Sequence, residues 1–447
     1  MTIAICNCDY LIRSPEKVER ESNLLIEGSR IRFIGKDVKI PTGTEIIDGT
    51  NCVVMPGLIN PHTHLYQNMI KGIAPGLELV PWCNEVLFPT VGAIRKVTGE
   101  AKQRIPYLWS ALGAMEMIRG GVTCCVNMDV TSPEVMQAWL DLGFRGVMAY
   151  TLSNKWVPAD LRSTEVEMKR KVLQFVDEFH HPDGLTTVFM APSTLFLCTD
   201  DFIRWIVGQA KEKDLGIQIH IAETSGEVDD LLKETGRRTV QQLKYLGMLE
   251  SRLSAVHCVH INQEETASLA EAAVKVVHCP KSNMKLADGA APVARMRSAG
   301  ISVSIATDGC ASNDLLDMWE EMRAAVMLAR VSENNASALS PRDAFRMATI
   351  EAAQAARVEA GELEPGKLAD VAIVELKANH LQPFHDEDIF NSLVFCGKAS
   401  DVRDTIIHGE VVMRDRQIKR VHEENLLAEA SSYAKTLYDL RAGYSAG

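Results

Sequence analysis

The sequence predicts an α/β fold, a (β/α)8 TIM barrel with a small β-sandwich domain formed by both chain termini. Apolar, strand-like runs alternate with helical segments over residues 58–360, which is typical of parallel sheets. Short strand-like runs with tight turns occur at both chain ends, and a His or Asp follows several of the central runs. We therefore assign residues 1–57 and 361–447 to the terminal domain and residues 58–360 to the barrel.

The terminal domain is predicted from turns and alternation. Gly28-Ser29 separates two alternating runs in LLIEGSRIRFIG, and EIIDGTNCVVMPG contains Asp48-Gly49. Strand signals return after residue 361 in KLADVAIVEL and VRDTIIHGEVVMRDRQI. The final stretch, EENLLAEASSYAKTLYDLR, predicts an amphipathic helix.

The barrel strands are predicted from the apolar runs GVTCCVNMD, TTVFMAPS, GIQIHIAE, LSAVHCVHI, VKVVHCP and ISVSIATDG. The length of this zone favours a closed barrel over an open sheet. One helix, SPRDAFRMATIEAAQAARV, is marked by its start: Ser340 caps it, Pro341 suits the first helical position and Asp343 completes a capping box.

Composition excludes several classes of protein. The chain has 447 residues, of which 46% are hydrophobic and 24% charged, as in ordinary globular proteins. Its net charge of −12 disfavours nucleic acid and favours a small neutral or cationic substrate. No apolar run is long enough to predict a membrane span. The 11 cysteines include no CxxC pair and the amino terminus resembles no signal peptide, which predicts reduced thiols and a cytoplasmic protein.

Candidate metal ligands lie at strand ends. His62 and His64 alternate along a strand, so their side chains project from one face, although such a pair is also common without a metal. His220 lies in an apolar strand, where a single histidine is more often structural. Glu223 follows three residues later, near the start of a loop, where a proton shuttle is expected.

Two further strands end in the same way. His257 ends one of them, with His260 shortly after it, and Asp308 ends the other before Gly309, a pair that often simply forms a turn. Active sites of TIM barrels form at the carboxyl ends of the strands. Three imidazoles and one carboxylate there would bind one divalent transition metal, with Zn²⁺ favoured and Fe²⁺ as the alternative.

The motifs PGLINPHTH, HIAETSGE, HCVHI, HCPKSNMKLADGAAPV and TDGCASNDLLDMWEEMR resemble those of methylthioadenosine/S-adenosylhomocysteine deaminases. These enzymes belong to the amidohydrolase superfamily, in a branch shared with triazine hydrolases. The resemblance runs nearly end to end. It implies a metal-dependent hydrolytic deaminase that releases ammonia from an aminated nitrogen heteroaromatic ring, of the adenosine type or another purine, pterin or triazine. Homodimers or higher homo-oligomers are expected in this branch.

The resemblance also implies roles for single residues. Glu223 would move a proton from a metal-activated water to a ring nitrogen. Asp308 would also accept a hydrogen bond from that water, and His257 would hold the substrate or the attacking hydroxide. The implied metal ligands are His62, His64, His220 and Asp308.

Other positions have supporting roles in this comparison. Ser312 would lie close to the bound ring, and Asn283 would brace the seventh strand and its loop. His278 and His260 are better read as structural. Three apolar residues either stack against the ring or belong to the core: Trp82, Leu87 and Phe88.

The match departs from the family where a nucleoside tail would bind. In adenosine-type members a Glu binds the ribose hydroxyls. The matching position in this chain is Val91, although Glu85 lies nearby in the sequence. An expected Arg falls on Tyr150 and an expected His on Ser193. Because a site built for hydroxyls loses affinity without these partners, the sequence predicts a compact substrate such as an aminotriazine, pterin or bare base. Trp82 lies beside this predicted pocket.

Other functions remain open. Release of chloride or an alkylamine from an s-triazine, as in atrazine chlorohydrolase, would need the same metal site. Two-metal amidohydrolases need a bridging lysine on the fourth strand, and TTVFMAPS has none. A non-catalytic scaffold would be expected to lose ligands that are all retained here. The combined H-x-E and PCxxC motif of nucleic-acid deaminases is absent, since the chain has no CxxC.

Overall fold

The computed structural model describes residues 2–73, 76–130, 132–385 and 387–443, and its strands form two sheets. One is a parallel eight-stranded barrel and the other a mixed sheet of nine strands from both chain ends. The predicted fold class is confirmed. The domain limits stay a prediction, and their outermost residues, 1 and 444–447, lie outside the described chain.

The amino-terminal strands are β1 Thr2–Ser14, β2 Lys17–Glu27, β3 Arg30–Gly35, β4 Glu45–Asp48 and β5 Cys52–Pro56. β2 and β3 form the expected hairpin. β4 and β5 do not form a hairpin with each other. Both run parallel to β1, and β4 pairs with its first half whereas β5 pairs with its second half. The turn between them is fixed on β1 by the Gly49 N–H, which donates to the Cys6 carbonyl at 2.7 Å.

The barrel strands follow in chain order and are all parallel: β6 Leu58–Thr63, β7 Val122–Asp129, β8 Arg145–Leu152, β9 Thr186–Pro192, β10 Ile217–Ile221, β11 Leu253–His257, β12 Lys275–His278 and β13 Val303–Ile305. The barrel closes between β13 and β6. There the Asp308 N–H donates to the His62 carbonyl at 3.1 Å, and the Thr307 N–H donates to the Asn60 side chain at 3.1 Å. These bonds place the two ends of the sheet side by side at the barrel mouth.

The chain passes from the terminal sheet into the barrel at Gly57. A Cβ there would lie 2.2 Å from the Thr123 side chain, so only glycine fits between β5 and β6. The two domains are also joined by a buried ion pair, with Arg145 Nε 2.9 Å from Asp370 Oδ2. Such a bidentate pair fixes orientation as well as contributing energy.

The α-helices of the described chain are α1 Leu79–Trp82, α2 Phe88–Lys96, α3 Ala101–Arg119, α4 Pro133–Leu142, α5 Glu165–Phe179, α6 Asp200–Glu212, α7 Ser225–Thr235, α8 Thr239–Tyr245, α9 Gln263–Glu271, α10 Pro280–Lys285, α11 Val293–Ser298, α12 Met318–Ser332, α13 Pro341–Ala348, α14 Ile350–Ala356, α15 Ile389–Cys396 and α16 Glu423–Ala442. The predicted terminal amphipathic helix corresponds to α16. No described helix is long and apolar enough to cross a membrane.

Short 3₁₀ and π segments connect these elements. The 3₁₀ helices are Leu65–Ile70, Ala159–Leu161, Met248–Glu250, Asn379–Leu381 and Ala399–Asp401. A π-helical segment, Cys83–Leu87, joins α1 to α2 near the barrel mouth.

The long helix predicted after Ser340 is divided into α13 and α14. Its capping box is present, but Thr349 leaves the helical region with φ −124° and ψ −87°. The Thr349 hydroxyl donates to the Phe345 carbonyl at 2.7 Å, which ends α13. The break turns the alanine-rich α14 under the barrel, where Ser254 at the start of β11 donates to the Ala355 carbonyl at 3.0 Å. α14 therefore covers the end opposite the strand termini that carry the candidate ligands.

The carboxyl-terminal strands β14 Val371–Glu375, β15 Val402–Ile407, β16 Glu410–Arg414 and β17 Gln417–Ile418 complete the mixed sheet. β14 pairs antiparallel with β5, so strands from the two chain ends lie side by side. The resulting order is β17-β16-β15-β14-β5-β1-β2-β3, with β4 beside β1.

Candidate active site

A cluster of three histidines and one aspartate lies at the barrel mouth. His62 and His64 come from the end of β6, His220 from β10, and Asp308 follows β13. Their potential ligand atoms all lie within 4.8 Å of one another. Asp308 Oδ1 is 3.3 Å from His62 Nε2 and 3.2 Å from His64 Nε2, and His220 Nε2 is 3.1 Å from His62 Nε2. The four residues predicted as metal ligands are therefore together.

The three imidazoles are turned so that Nε2 faces the cluster. Each Nδ1 contacts an oxygen that can only accept a hydrogen bond, which places the ring proton on Nδ1 and leaves Nε2 with a free lone pair. For His62, His64 and His220 in turn, the acceptors are Gln218 Oε1 (2.8 Å), the Met128 carbonyl (2.5 Å) and the Ser193 carbonyl (2.7 Å). This orientation fits a bound cation.

Gln218 fixes the first of these contacts. Its Nε2 donates to the Pro61 carbonyl at 2.9 Å, so its Oε1 is the group that accepts from His62. Gln218 lies two residues before His220 and therefore projects from the same face of β10. Gln218 was not among the predicted site residues, although the alternation in IQIHI places a second polar side chain on that face.

The two carboxylate oxygens of Asp308 have separate partners. Oδ1 faces the histidines, whereas Oδ2 accepts hydrogen bonds from Ser282 Oγ at 2.6 Å and Ser312 Oγ at 3.0 Å. Burial raises the pKa of Asp308, but its contacts with His62 and His64 outweigh burial and hold the pKa well below its usual value. Asp308 is therefore an anion with one oxygen directed at the cluster.

The glycine after Asp308 is required by close packing. A Cβ on Gly309 would lie 2.0 Å from Gln67 Oε1, which accepts a hydrogen bond from the Ala311 N–H at 2.8 Å. Asp308 itself has φ +61°. The Asp-Gly pair thus packs the loop onto the 3₁₀ helix that follows β6, in addition to forming a turn.

Burial also sets the charge of the histidines. It lowers the pKa of His62, and it lowers that of His220 well below its usual value, an effect that the neighbouring imidazoles increase. In His64 the carboxylate of Asp308 more than offsets burial, so its pKa is raised. Imidazole nitrogens beside an anionic carboxylate are the donor set that a divalent transition metal prefers.

A cavity of about 380 Å³ opens above the cluster. Glu223 and His257 line it beside the ligands, and Glu223 Oε1 is 3.6 Å from His257 Nε2. Burial raises the pKa of Glu223 well above its usual value, and the carboxylates of Asp288, Asp308 and Glu227 raise it further. Burial and the neighbouring carboxylates thus favour the acid form of Glu223.

His257 is held as a neutral acceptor. Its Nδ1 is 2.9 Å from Asn283 Oδ1, so the ring proton lies on Nδ1 and Nε2 faces Glu223. Burial lowers the pKa of His257 to about 4. His257 has φ +70° at the end of β11, a left-handed conformation that directs the ring into the cavity mouth. Asn283 and Ser282, adjacent on α10, thus orient His257 and Asp308 respectively.

Comparison with known proteins agrees with this geometry. Residues 53–412 match the model of the amidohydrolase family. The chain belongs to the amidohydrolase family. It is therefore a hydrolytic enzyme that acts on C–N bonds, and its cluster corresponds to a single divalent metal ion.

Relatives of this amidohydrolase cover almost its whole length. A 5-methylthioadenosine/S-adenosylhomocysteine deaminase from Carboxydothermus hydrogenoformans is 36% identical over 92% of this chain and 93% of its own. A 5'-deoxyadenosine deaminase from Methanothermobacter thermautotrophicus is 34% identical over 96% of this chain and 99% of its own.

Solved structures share the architecture. An adenosine deaminase from Xanthomonas campestris with bound zinc has a TM-score of 0.90 and 28% identity, covering 98% of both chains. An atrazine chlorohydrolase from Arthrobacter aurescens has a TM-score of 0.90 and 23% identity, covering 97% of this chain and 100% of its own. At this identity the similarity establishes only the shared fold.

Four of the five residues predicted to bind substrate line the cavity of the amidohydrolase: Trp82, Tyr150, Ser193 and Ser312. Leu87, Phe88 and Val91 line it as well. Ser312 also donates to Asp308, and the Ser193 carbonyl orients His220. The two supporting histidines, His260 and His278, are not in the lining. His260 Nε2 contacts the Asp288 carbonyl at 2.7 Å.

Glu85 is the predicted residue that the fold keeps away from the cavity. The π-helical segment turns Cys83 and Val86 inward and leaves Glu85 exposed. Its backbone carbonyl accepts a hydrogen bond from Arg441 on α16. Glu85 therefore does not replace the carboxylate that is missing at Val91.

Proposed function

We propose that this amidohydrolase is a metal-dependent deaminase that releases ammonia from an aminated nitrogen heteroaromatic ring, with adenosine-type rings as the first candidates. The observation that carries the proposal is Glu223, a buried carboxylic acid beside His257 at the edge of the metal cluster. Ring deamination needs such an acid because the ring nitrogen and the leaving amine must both be protonated. Relatives at 34–36% identity are named as deaminases, which supports this reaction.

The proposed ligands of the metal are His62, His64, His220 and Asp308. Zinc is proposed as the ion, because the adenosine deaminase at 28% identity holds zinc and because imidazole and carboxylate donors suit it. When bound, a divalent ion acts as a Lewis acid that lowers the pKa of water toward neutrality.

The side chains of this protein supply the proton transfers and orientation. Glu223 delivers its proton to the ring nitrogen next to the carbon that bears the amino group. It then takes one proton from the attacking water and passes it to the departing amine, and the second proton of that water restores the acid as ammonia leaves. His257 presents Nε2 as a hydrogen-bond acceptor, because Asn283 holds its proton on Nδ1. Asp308 is kept in one orientation by Ser282 and Ser312, so its free oxygen can accept from the nucleophile.

Trp82 offers a further contact to the substrate. Its ring lines the cavity, where an aromatic face can pack against the bound ring. We assign Trp82 to stacking against the substrate ring.

The test is an ammonia-release screen of metal-replete protein with adenosine, 5'-deoxyadenosine, guanine, pterin, melamine and atrazine. The expected result is one equivalent of ammonia per substrate consumed for at least one aminated ring. Release of chloride from atrazine, with no ammonia from any ring, would reject deamination and support the chlorohydrolase alternative.

Location in the cytoplasm is also proposed. It is supported by the cysteines, all 11 of which are free thiols, including the adjacent Cys124 and Cys125. The predicted homodimer or higher homo-oligomer stays a prediction.

A further inference from the structure

Three aromatic side chains, one from the start of α2 and two from loops, meet at the outer end of the cavity. Trp156 lies between Phe88 and Phe196, with ring centroids 5.7 Å and 5.4 Å away and interplanar angles of 72° and 71°. All three line the cavity, and we call them the aromatic clamp. Trp156 is 41% exposed, which is unusual for a large apolar side chain that has packed neighbours.

The backbone holds Trp156 in an unfavourable conformation. Its φ of +55° is in the left-handed region, which bulky residues rarely adopt. The preceding N–H groups of Asn154 and Lys155 both donate to the Leu197 carbonyl, at 3.0 and 2.9 Å. The Thr199 N–H also donates to Asn154 Oδ1 at 2.9 Å. The neighbouring loop therefore fixes the position of Trp156, and strain maintained in this way is typical of functional sites.

The chemistry of the outer cavity does not suit a sugar. Among the described lining residues, the carboxylates are Asp129, Glu223 and Asp308, and all three belong to the inner end beside the metal cluster. Leu87, Val91 and Leu161 share an apolar cluster with Phe88 and form part of the cavity wall, which also includes the hydroxyls of Ser153 and Ser163.

The two cationic side chains in the lining of the outer cavity both lie near the carboxylate of Glu167. Lys171 Nζ is 2.7 Å from Glu167 Oε1, so its charge is already paired. Arg95 also lines the cavity and lies close enough to Glu167 to lower the pKa of that carboxyl. The outer cavity therefore offers aromatic faces and edges but, among the described lining residues, no carboxylate acceptor for ribose hydroxyls.

We propose that the aromatic clamp is a subsite for an apolar, planar substituent on the reacting ring, and that Trp156 determines specificity for it. The inference rests on the proposed deaminase function. A planar group that lies against the exposed part of the Trp156 ring replaces solvent there, and aromatic pairs gain from such burial. The favoured substrate is thus an amino-substituted heteroaromatic ring with an aryl or similar apolar group in place of a sugar.

The test compares substrates that share the reacting ring and differ only in the substituent. Adenine, adenosine and 9-benzyladenine form one series, and melamine and N-benzylmelamine form a second. We expect kcat/KM of the wild-type enzyme to be at least about tenfold higher for a benzyl compound than for its unsubstituted ring and, in the adenine series, than for adenosine. In Trp156→Ala that preference should fall about tenfold, and Trp156→Phe should restore part of it.

Trp205 on α6 provides a matched control. It stacks on Phe202 and is not in the cavity lining, so Trp205→Ala should keep the benzyl preference. An equal loss of kcat/KM for all substrates in Trp156→Ala would show a purely structural role and overturn the proposal. Wild-type preference for adenosine over 9-benzyladenine would also overturn it.

Calorimetric binding separates this inference from the proposed function. If no ring releases ammonia, the deaminase assignment fails, but binding of 9-benzyladenine and N-benzylmelamine to the holoenzyme still tests the clamp. Binding of either that weakens about tenfold in Trp156→Ala supports an aromatic subsite. Binding of neither, or equal affinities in both proteins, rejects it.

Discussion

The inner and outer ends of the cavity are built on different principles. At the inner end, His62 and Asp308 each have hydrogen-bond partners on two sides, and those partners are themselves anchored. At the outer end, Trp156 is positioned by its backbone and by edge-to-face ring contacts. Directional bonds fix the reacting groups, whereas shape and apolar surface select the substituent.

This difference has a consequence for mutations. A change at the inner end should affect metal binding and turnover with every substrate, because all substrates use the same reacting groups. A change at the outer end should alter the choice among substrates. Variants at the two ends of the cavity test whether effects on turnover and effects on substrate choice are separate.

The largest effect is expected for Glu223→Gln. Gln keeps the shape of the side chain but has no proton to transfer, so kcat should fall by about 10²–10⁴-fold with every substrate. Metal content should stay at the wild-type level, because Glu223 is outside the ligand cluster. Kinetic assays and metal analysis of the same preparation provide the test.

Glu227→Gln is the matched control for this variant. Glu227 Oε2 accepts from the Glu223 N–H at 2.9 Å, and a glutamine oxygen can still accept this bond. We expect its kcat to fall by less than about tenfold. Full activity in Glu223→Gln, or equal losses in both variants, would contradict the assigned acid.

The next effect concerns Gln218, which orients His62. Gln218→Leu removes the acceptor for His62 Nδ1 and should weaken metal affinity by about 10–100-fold, the usual range for residues that orient a ligand. Gln218→Glu keeps that acceptor and should retain more affinity. Competition with a chelator gives both affinities, and unchanged affinity in Gln218→Leu would show that the contact is dispensable.

A smaller loss is expected for Ser282→Ala. Ser282 supplies one of two hydroxyl bonds to Asp308 Oδ2, so kcat should fall by about tenfold while Ser312 holds the remaining bond. Ser304→Ala is a suitable control, since this buried serine donates to the Val276 carbonyl at 3.0 Å within the barrel wall. Equal kcat values in the two variants would argue against a role for Ser282 in orienting Asp308.

The inner end was the more predictable part of the site. His62 and His64 are adjacent on one strand face, and His220 and Asp308 lie at the ends of apolar strands, so strand periodicity and barrel geometry are sufficient to group them. Gln218 was overlooked because its role depends on contact with a strand 156 residues away.

The outer end and parts of the fold could not be predicted in this way. The aromatic clamp combines Phe88 at the start of α2 with residues from two loops, and no periodic pattern shows that these three segments meet. Pairing of both β4 and β5 with β1 depends on tertiary contacts rather than on the Asp48-Gly49 turn. The break at Thr349 arises from a side-chain hydrogen bond that competes with the helix, in a segment whose propensity is helical throughout.

The smallest expected effect concerns the pH dependence of folding stability that arises from Glu321, behind the inner end of the cavity. Glu321 is fully buried and accepts from Asn313 Nδ2 at 2.7 Å, and Asn313 in turn donates to the Thr307 carbonyl. Burial raises the pKa of Glu321 to about 8. The folded protein therefore keeps this proton at pH values where the unfolded chain has lost it, so the stability contributed by Glu321 is lost as pH rises from about 4.5 through about 8.

Glu321→Gln tests this effect because Gln resembles the protonated carboxyl. The decrease in Tm between pH 5 and pH 8.5 should be about 4 °C smaller in the variant than in the wild type. kcat/KM ratios between substrates should be unchanged, since Glu321 is not in the cavity lining. A decrease in Tm that is the same in both proteins would show that Glu321 is already ionised in the folded state.

The most direct test of the account is the metal content of the purified protein, measured with its activity before and after chelation. We predict about one equivalent of zinc or iron per chain. Chelation should abolish hydrolysis, and added metal should restore it. Asp308→Asn should retain less metal and turn over more slowly. A protein without stoichiometric transition metal that keeps full activity after exhaustive chelation would contradict the account.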